Sequence, residues 1–331
     1  MAERLQALTR WLHESGGLGD FELQQVSGDA SFRRYFRVRH GAGTCIAMDA
    51  PPDKEDSHPF VHVAGLFAGL GLNVPRILSA DLAQGFLLLT DLGDRLYLGE
   101  LDAASVDRLY ADALAALATL QACGPGADTL APYDAALLRE EMERFRHWYL
   151  TRHLGLSLGP AQHAVLDAAF ERLTASALEQ PRVCVHRDYH SRNLLVCEQN
   201  PGILDFQDAV HGPITYDLVS LLRDCYIAWP AERVTQWALD YRERALQAGI
   251  LDDADPERFL RWFDLMGIQR HLKATGIFAR LKLRDDKPAY LNDVPRTLGY
   301  VFEVAARYPE LADFHALLGE LVAPRLNVAN G

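Results

Sequence analysis

Between residues 183 and 208 the chain gathers its densest set of chemistry-bearing side chains, VCVHRDYHSRN followed after a short gap by ILDFQD. Asp188, Asn193 and Asp205 in this stretch offer hard oxygen donors. Such donors suit Mg²⁺, which takes one or two protein oxygens and completes its shell with water and phosphate. Asn193 precedes a short apolar segment, Leu194–Val196, and Asp205 lies at the end of a second, Ile203–Phe206. Between them Asn200-Pro201-Gly202 is a strong turn signal. A hairpin sets the ends remote from its turn side by side, so Asn193 and Asp205 should converge. Asp188, on the loop before, would face the same pocket. An aspartate there can accept the proton of a hydroxyl as it attacks a phosphoryl group.

Those residues need elements to position them. Leu5, Leu8 and Leu12 recur at helical spacing and predict an opening helix over residues 1–15. Phe21–Val26, Tyr35–Val38 and Thr44–Met48 then read as a three-stranded antiparallel meander, separated by Gly28-Asp29 and Gly41-Ala42-Gly43. A helix over His58–Leu70 and two strands, Ile77–Asp81 and Phe86–Thr90, complete a first lobe that ends near Asp91-Leu92-Gly93. Beyond it the pattern is mainly helical. Asp102 can cap a helix carrying Val106, Leu109, Ala113, Leu117 and Leu120. Further helices are predicted over 134–153, 160–178, 214–228, 230–248, 256–282 and 309–322. The expected fold class is α+β: a small antiparallel β lobe at 1–92, and a larger helical lobe at 93–331 that contains the hairpin.

Composition narrows the partners. A chain of 331 residues fits two lobes, and 49% hydrophobic with 24% charged residues excludes a disordered or fibrous protein. The formal net charge of −12 disfavours nucleic acid and anionic membrane as partners. No run approaches the ~18 apolar residues of a membrane helix. The first dozen residues lack a secretory pattern, and the five cysteines form no C-x-x-C pair. A cytoplasmic protein is expected. Cys184, His186, His190 and Cys197 match no compact zinc module. Neither a phosphate-binding G-x-x-x-x-G-K-[ST] nor a G-x-S-x-G elbow occurs.

His186-Arg187-Asp188 with Asn193, followed by Asp205-Phe206, resembles the catalytic loop and metal motif of the protein-kinase-like fold. It resembles more closely the aminoglycoside-phosphotransferase family, whose members show H-x-D-x-x-x-x-N, a short hairpin, I-D-F and then a D-P-x-x-D-L-A-like helix start. Here that last element is Gly212-Pro213-Ile214-Thr215-Tyr216-Asp217-Leu218-Val219. The resemblance implies a two-lobed kinase-like fold with ATP and Mg²⁺ as cofactors. It implies Asp188 as general base or hydroxyl-positioning residue, and Asn193 and Asp205 as metal ligands. His186 would hold the catalytic loop, and Asp217 would cap its helix or brace that loop. Asp208 is open between a second metal, water or substrate, and a structural loop carboxylate. Arg187 and Arg192 are read as solvent-facing.

A closer resemblance is carried by ASFRRYFRV, IAMDAPP, LLLTDLGD, the stretch from Ile203 to Tyr226, and QRHLKATGIFARL. It is to the bacterial anomeric cell-wall sugar kinases, which phosphorylate N-acetylmuramate and N-acetylglucosamine at the 1-hydroxyl. The alternatives are an aminoglycoside, choline or amino-alcohol kinase of the same fold, and a nucleotide-binding regulator without turnover.

The first lobe departs from the general pattern. Kinase-like folds usually place a lysine on the third strand, paired to a glutamate on the next helix. Met48 stands about where that lysine belongs, and the helix Pro59–Leu70 has no acidic residue. Ser31, Arg33 and Arg34 are then the candidates for the nucleotide phosphates. Strand alternation would turn one of the two arginines away. The adenine is expected along Thr90-Asp91-Leu92, through backbone groups. The acceptor is expected near Arg223, Asp224 and Tyr226, and near Arg270, His271 and Lys273. A carboxylated sugar would explain such cations, and ordinary surface salt bridges are the alternative. The sequence does not set the oligomeric state.

Overall fold

The structure, a computed structural model, describes residues 2–26, 32–253 and 255–326. In chain order its elements begin with α1 (Ala2–Glu14), β1 (Phe21–Gln25), β2 (Arg34–His40), β3 (Gly43–Asp49), α2 (His58–Gly69), β4 (Ile77–Asp81) and β5 (Phe86–Thr90). A short α3 (Tyr97–Glu100), then α4 (Val106–Cys123), α5 (Ala135–Arg144), α6 (Pro160–Leu178) and β6 (Arg182–Val185) follow. The remainder is β7 (Leu194–Leu195), β8 (Gly202–Ile203), β9 (Val210–Pro213), α7 (Thr215–Leu222), α8 (Ala231–Gln247), α9 (Pro256–Asp285), α10 (Val294–Ala305) and α11 (Ala312–Leu321).

Contacts divide the chain into two compact units. One holds the chain up to Ala113 together with Arg192–Asp208; the other holds Leu114–Ser191 and the chain from Ala209 onward. The β7–β8 hairpin, expected within the helical lobe, is therefore grouped with the sheet. Its turn explains why: Asn200 Nδ2 donates to Tyr97 Oη at 2.8 Å and to Asp112 Oδ2 at 2.7 Å, and Asn73 Nδ2 donates to the Gln199 carbonyl at 2.7 Å.

In the first unit the five strands form one antiparallel sheet in the order β1-β2-β3-β5-β4. The two-residue period of β2, β3 and β5 puts Phe36, Val38, Cys45, Ala47, Phe86 and Leu88 in one cluster with Leu8, Trp11 and Leu12 of α1. Asp49 follows the same phase and is fully buried. Its carboxylate accepts from Arg4 Nε of α1 at 2.9 Å and from Arg34 Nε at 3.1 Å. Met48, one residue out of phase, is also fully buried, opposite Tyr35 and Leu87. On α2, Phe60 and Phe67 meet the Phe206 ring at 5.0 and 5.7 Å, which ties the segment after the hairpin to this unit.

In the second unit β6 and β9 pair antiparallel with Cys184 opposite His211, and all eight residues of α7 are buried. The 30-residue α9 is its central element. Asp255 caps it, accepting from Glu257 N at 2.9 Å and Arg258 N at 3.0 Å, and Pro256 takes the first position, where no N–H is missed. Unlike a surface helix it buries polar residues too, among them Asp264, Gln269, Arg270, His271 and Lys273. The helix predicted over 134–153 widens after Arg144 into a π-helical stretch, Phe145–His153. Gly276 of α9 lies against that joint. A Cβ there would come within 2.4 Å of the Arg144 carbonyl carbon and 2.6 Å of Phe145 N, so glycine is what lets the two backbones meet.

Helix α7 stops at Leu222 rather than 228, α11 starts at Ala312 rather than 309, and neither α10 nor the β6–β9 pair was expected. Among the described residues, no helix is long and apolar enough to cross a membrane.

Candidate active site

The loop leaving β6 is braced at both ends. His186 N and Arg187 N donate to the two oxygens of Asp217 at 2.6 and 3.0 Å, and Ser191 N donates to Asp224 Oδ2 at 2.9 Å. The other oxygen of Asp224 accepts Tyr226 N at 2.9 Å. Of the two roles open for Asp217, this geometry is that of a brace. Burial pushes its carboxyl up to about 7, against the pull of those two amides. Asp224, expected against the acceptor, is a second brace: backbone amides occupy both its oxygens. Within the loop His186 Nδ1 accepts the Asp188 N–H at 3.2 Å. Arg187 between them has φ +77°, a left-handed conformation that costs a non-glycine residue about 1–2 kcal/mol.

Arg187 does not face solvent as expected. Its side chain is largely buried, with Nη2 2.5 Å from Glu141 Oε1 and the guanidinium over the Tyr133 ring at 5.8 Å. Lys273 Nζ lies 3.2 Å from the same oxygen and donates to Tyr216 Oη at 2.8 Å. Tyr133 Oη donates to Glu141 Oε2, as does Gln269 Nε2 at 3.2 Å. Burial alone would raise the Glu141 carboxyl, but Lys273, Arg187 and Tyr133 hold it at about 2. The same cations act on Asp188. Burial opposes its charge, yet Lys273, His190, Arg187 and His186 outweigh burial and keep its carboxyl below the ordinary range. An ionised aspartate is ready to accept a proton. Glu141 gave no sign of this role in sequence, because it sits in Arg139-Glu140-Glu141-Met142-Glu143-Arg144, a run that reads as a solvated helix face.

A cavity opens at Asp188, lined by polar groups of Arg187, His190 and Tyr216 and by the apolar Ile277 and Phe278. Of the six residues expected at the acceptor, Tyr226, Arg270 and Lys273 line it. Arg223 does not: Nη2 pairs with Asp264 Oδ1 at 2.6 Å, and the guanidinium covers the Phe263 ring at 4.5 Å. His271 does not either. Its Nε2 donates to the Arg223 carbonyl at 2.8 Å, its ring stacks on Tyr300, and burial pushes its pKa down to about 3. Surface salt bridges, the alternative reading, do not describe Arg223, Asp224, Arg270, His271 or Lys273, all of which are buried.

The first unit presents the other expected residues. Leu204 N donates to the Asn193 carbonyl at 2.9 Å, continuing the β7–β8 pairing, and Asn193 Nδ2 reaches Asp205 Oδ2 at 3.4 Å. Asp205 has φ +63°, and its Oδ1 accepts Gln207 Nε2 at 2.7 Å. The hairpin thus brings together one carboxylate and one amide oxygen, a donor set that fits Mg²⁺ sharing its shell with phosphate. Among the described residues no group of three or more His, Cys, Asp or Glu forms a protein-only metal site. Asp208, three residues on, is exposed.

Of the residues expected at the phosphates, Arg34 is held by Asp49 on the α1 face, and Arg33 pairs with Glu55 at 3.3 Å. Ser31 lies outside the described residues. Along the expected adenine edge, Thr90 N donates to the Arg76 carbonyl at 2.9 Å, and the Leu92 carbonyl accepts Cys197 Sγ at 3.2 Å. Asp91 accepts Arg37 Nε at 2.7 Å. Burial would raise the Asp91 carboxyl, but Arg37 and the Gly93 amide keep it low.

A model of the phosphotransferase enzyme family matches residues 22–260. An N-acetylmuramate/N-acetylglucosamine kinase of Pseudomonas aeruginosa is 50% identical, covering 97% of this chain and 96% of that protein. One from Neisseria meningitidis serogroup B is 41% identical over 97% of this chain and 96% of its own. Among solved structures, a choline kinase from Streptococcus pneumoniae matches with a TM-score of 0.62 at 13% identity, covering 92% of this chain and all of that one. An ADP-bound aminoglycoside phosphotransferase matches with a TM-score of 0.57 at 16% identity, covering 89% and 97%. The fold is the α+β, protein-kinase-like one that the motifs implied.

Proposed function

The chain belongs to the phosphotransferase enzyme family, and from that membership we propose that it transfers the γ-phosphoryl group of ATP to the anomeric hydroxyl of N-acetylmuramate and N-acetylglucosamine. The observation that carries this reading is 50% identity, along nearly the whole of both chains, to a kinase named for these two sugars. The setting is recycling of cell-wall sugars in the cytoplasm.

Asp188 orients the acceptor hydroxyl and takes its proton, and Lys273 and Arg187 keep the carboxylate ionised for that step. His186, Asp217 and Asp224 hold the loop on which Asp188 sits. Asn193 and Asp205 would hold magnesium, which when bound offsets the charge on the phosphate oxygens. We assign the nucleotide to residues 1–92, with its phosphates near Arg33 and its adenine along Thr90–Leu92, and the acceptor to 93–331. Choline or an aminoglycoside calls for a pocket rich in carboxylates. The cavity at Asp188 is lined instead by the cations of Arg187, Arg270 and Lys273.

An ADP-release screen over amino sugars, aminoglycosides and choline tests the reading. Turnover is expected with the two N-acetyl sugars, with a product whose NMR spectrum shows phosphorus coupled to the anomeric proton. Phosphate on any other hydroxyl, or turnover confined to aminoglycosides or choline, would overturn it.

A further inference from the structure

We propose that Arg270 receives the carboxylate of an acidic acceptor and so sets the preference for N-acetylmuramate over N-acetylglucosamine; this rests on the amino-sugar reading above. Arg270 lines the Asp188 cavity from α9, three residues before Lys273 and on the same helix face, with only 5% of its surface exposed. A guanidinium has five N–H donors. The hydrogen bond that Arg270 makes is from Nη1 to Cys225 Sγ at 3.1 Å, and a thiol is a weak acceptor. Among the described residues, no carboxylate lies within ion-pair reach of it.

The neighbouring cations are different. Lys273 has Glu141 at 3.2 Å and Arg223 has Asp264 at 2.6 Å. Asp224 acts on Arg270 through space alone, its oxygens accepting the amides of Ser191 and Tyr226, and Tyr216 Oη accepts Lys273 Nζ. A buried guanidinium with no carboxylate paired directly to it is costly. One facing a cavity is instead matched by what enters it.

The two sugars differ by a lactyl ether whose carboxylate is the one full charge on either molecule. A carboxylate is also the group that a planar guanidinium binds bidentately. Both the anomeric hydroxyl and the lactyl ether stand on one pyranose ring, so a single cavity holds one at Asp188 and the other at Arg270.

Steady-state kinetics on the purified full chain test this through the ratio of kcat/KM for N-acetylmuramate to that for N-acetylglucosamine. In Arg270→Gln the ratio is expected to fall by roughly tenfold or more, the worth of a charge-assisted hydrogen bond, chiefly through KM. Arg270→Lys should recover part of the loss. The unmutated enzyme supplies a test independent of folding: the methyl ester of N-acetylmuramate should lose a similar factor against the free acid. An unchanged ratio in Arg270→Gln, an equal loss for both sugars, or an ester used as well as the acid would each overturn the proposal. An equal loss would place Arg270 at the transferring phosphoryl group. If the unmutated enzyme phosphorylates neither sugar, the amino-sugar reading falls and takes this proposal with it, a result that the ratio cannot imitate.

Discussion

Arg187 and Asp205 are both non-glycine residues in the left-handed region, each in the part of its unit to which a step of phosphoryl transfer is assigned above, and their surroundings differ. Arg187 is fixed by charge: its guanidinium meets the buried Glu141, which Lys273 shares, and its own amide donates to Asp217. Asp205 accepts from the side-chain amides of Gln207 and Asn193. An amide satisfies a carboxylate oxygen without cancelling its charge. The contrast teaches a division of labour. The half assigned the base is locked by countercharge, while side-chain amides help to shape the half assigned a cation.

The strongest blow to the acceptor half is Asp188→Asn, which should lower kcat by about 10²–10⁴ in a sugar-dependent ADP-release assay. A variant that turns over like the unmutated enzyme would break the assignment of the base.

Glu141→Gln tests the lock itself. It leaves Arg187 and Lys273 buried without their shared anion, and the unfolding free energy from urea titration should fall by about 3–5 kcal/mol. The effect has a pH signature. The Glu141 carboxyl titrates near 2 in the folded chain and at its ordinary 4.5 when unfolded. Its contribution is therefore complete above pH 4.5 and lost as pH falls toward 2. The stability gap between the two proteins should narrow across that window, and a gap constant with pH would mean that Glu141 is not the anchor.

On the metal half, Asp205→Asn should leave stability within about 0.5 kcal/mol, because asparagine tolerates the left-handed region. The Mg²⁺ concentration for half-maximal rate should rise by at least the roughly 10–100-fold that loss of an outer-shell partner brings. Unfolding at a lower temperature with an unchanged Mg²⁺ requirement would reverse the comparison. The mildest probe is Tyr133→Phe. It removes one donor to Glu141 while Gln269 and both cations remain, and should cost about 1 kcal/mol by thermal unfolding with kcat little altered.

What could be read from the sequence was local. Short apolar and β-branched runs set off by turn residues placed all five strands of the sheet, and helical spacing placed α6, α8 and α9 to within a few residues. Asn193 and Asp205 converge because a turn signal stands between them. What escaped depends on partners far along the chain. The β6–β9 pair joins two four-residue segments, too short to carry a period. α10 opens with Pro295 in its first turn, where a residue that usually breaks helices is harmless. Glu141, Tyr133 and Gln269 become a site only when α5 and α9 pack together. The depth of that packing depends on Gly276, whose missing Cβ has no local signature. Asp224 and His271 were placed at the acceptor by proximity in sequence to Tyr226 and Arg270, although adjacent residues on a helix or turn point different ways.

Met48 carries a last consequence. A lysine on the third strand paired to a glutamate on the following helix is a contact that can be made and broken, and so a place where a modification or a partner protein can switch a kinase on or off. Here the position is sealed by apolar neighbours, and α2 has no acid to offer. At this position, then, there is no ion pair for such a switch to make or break.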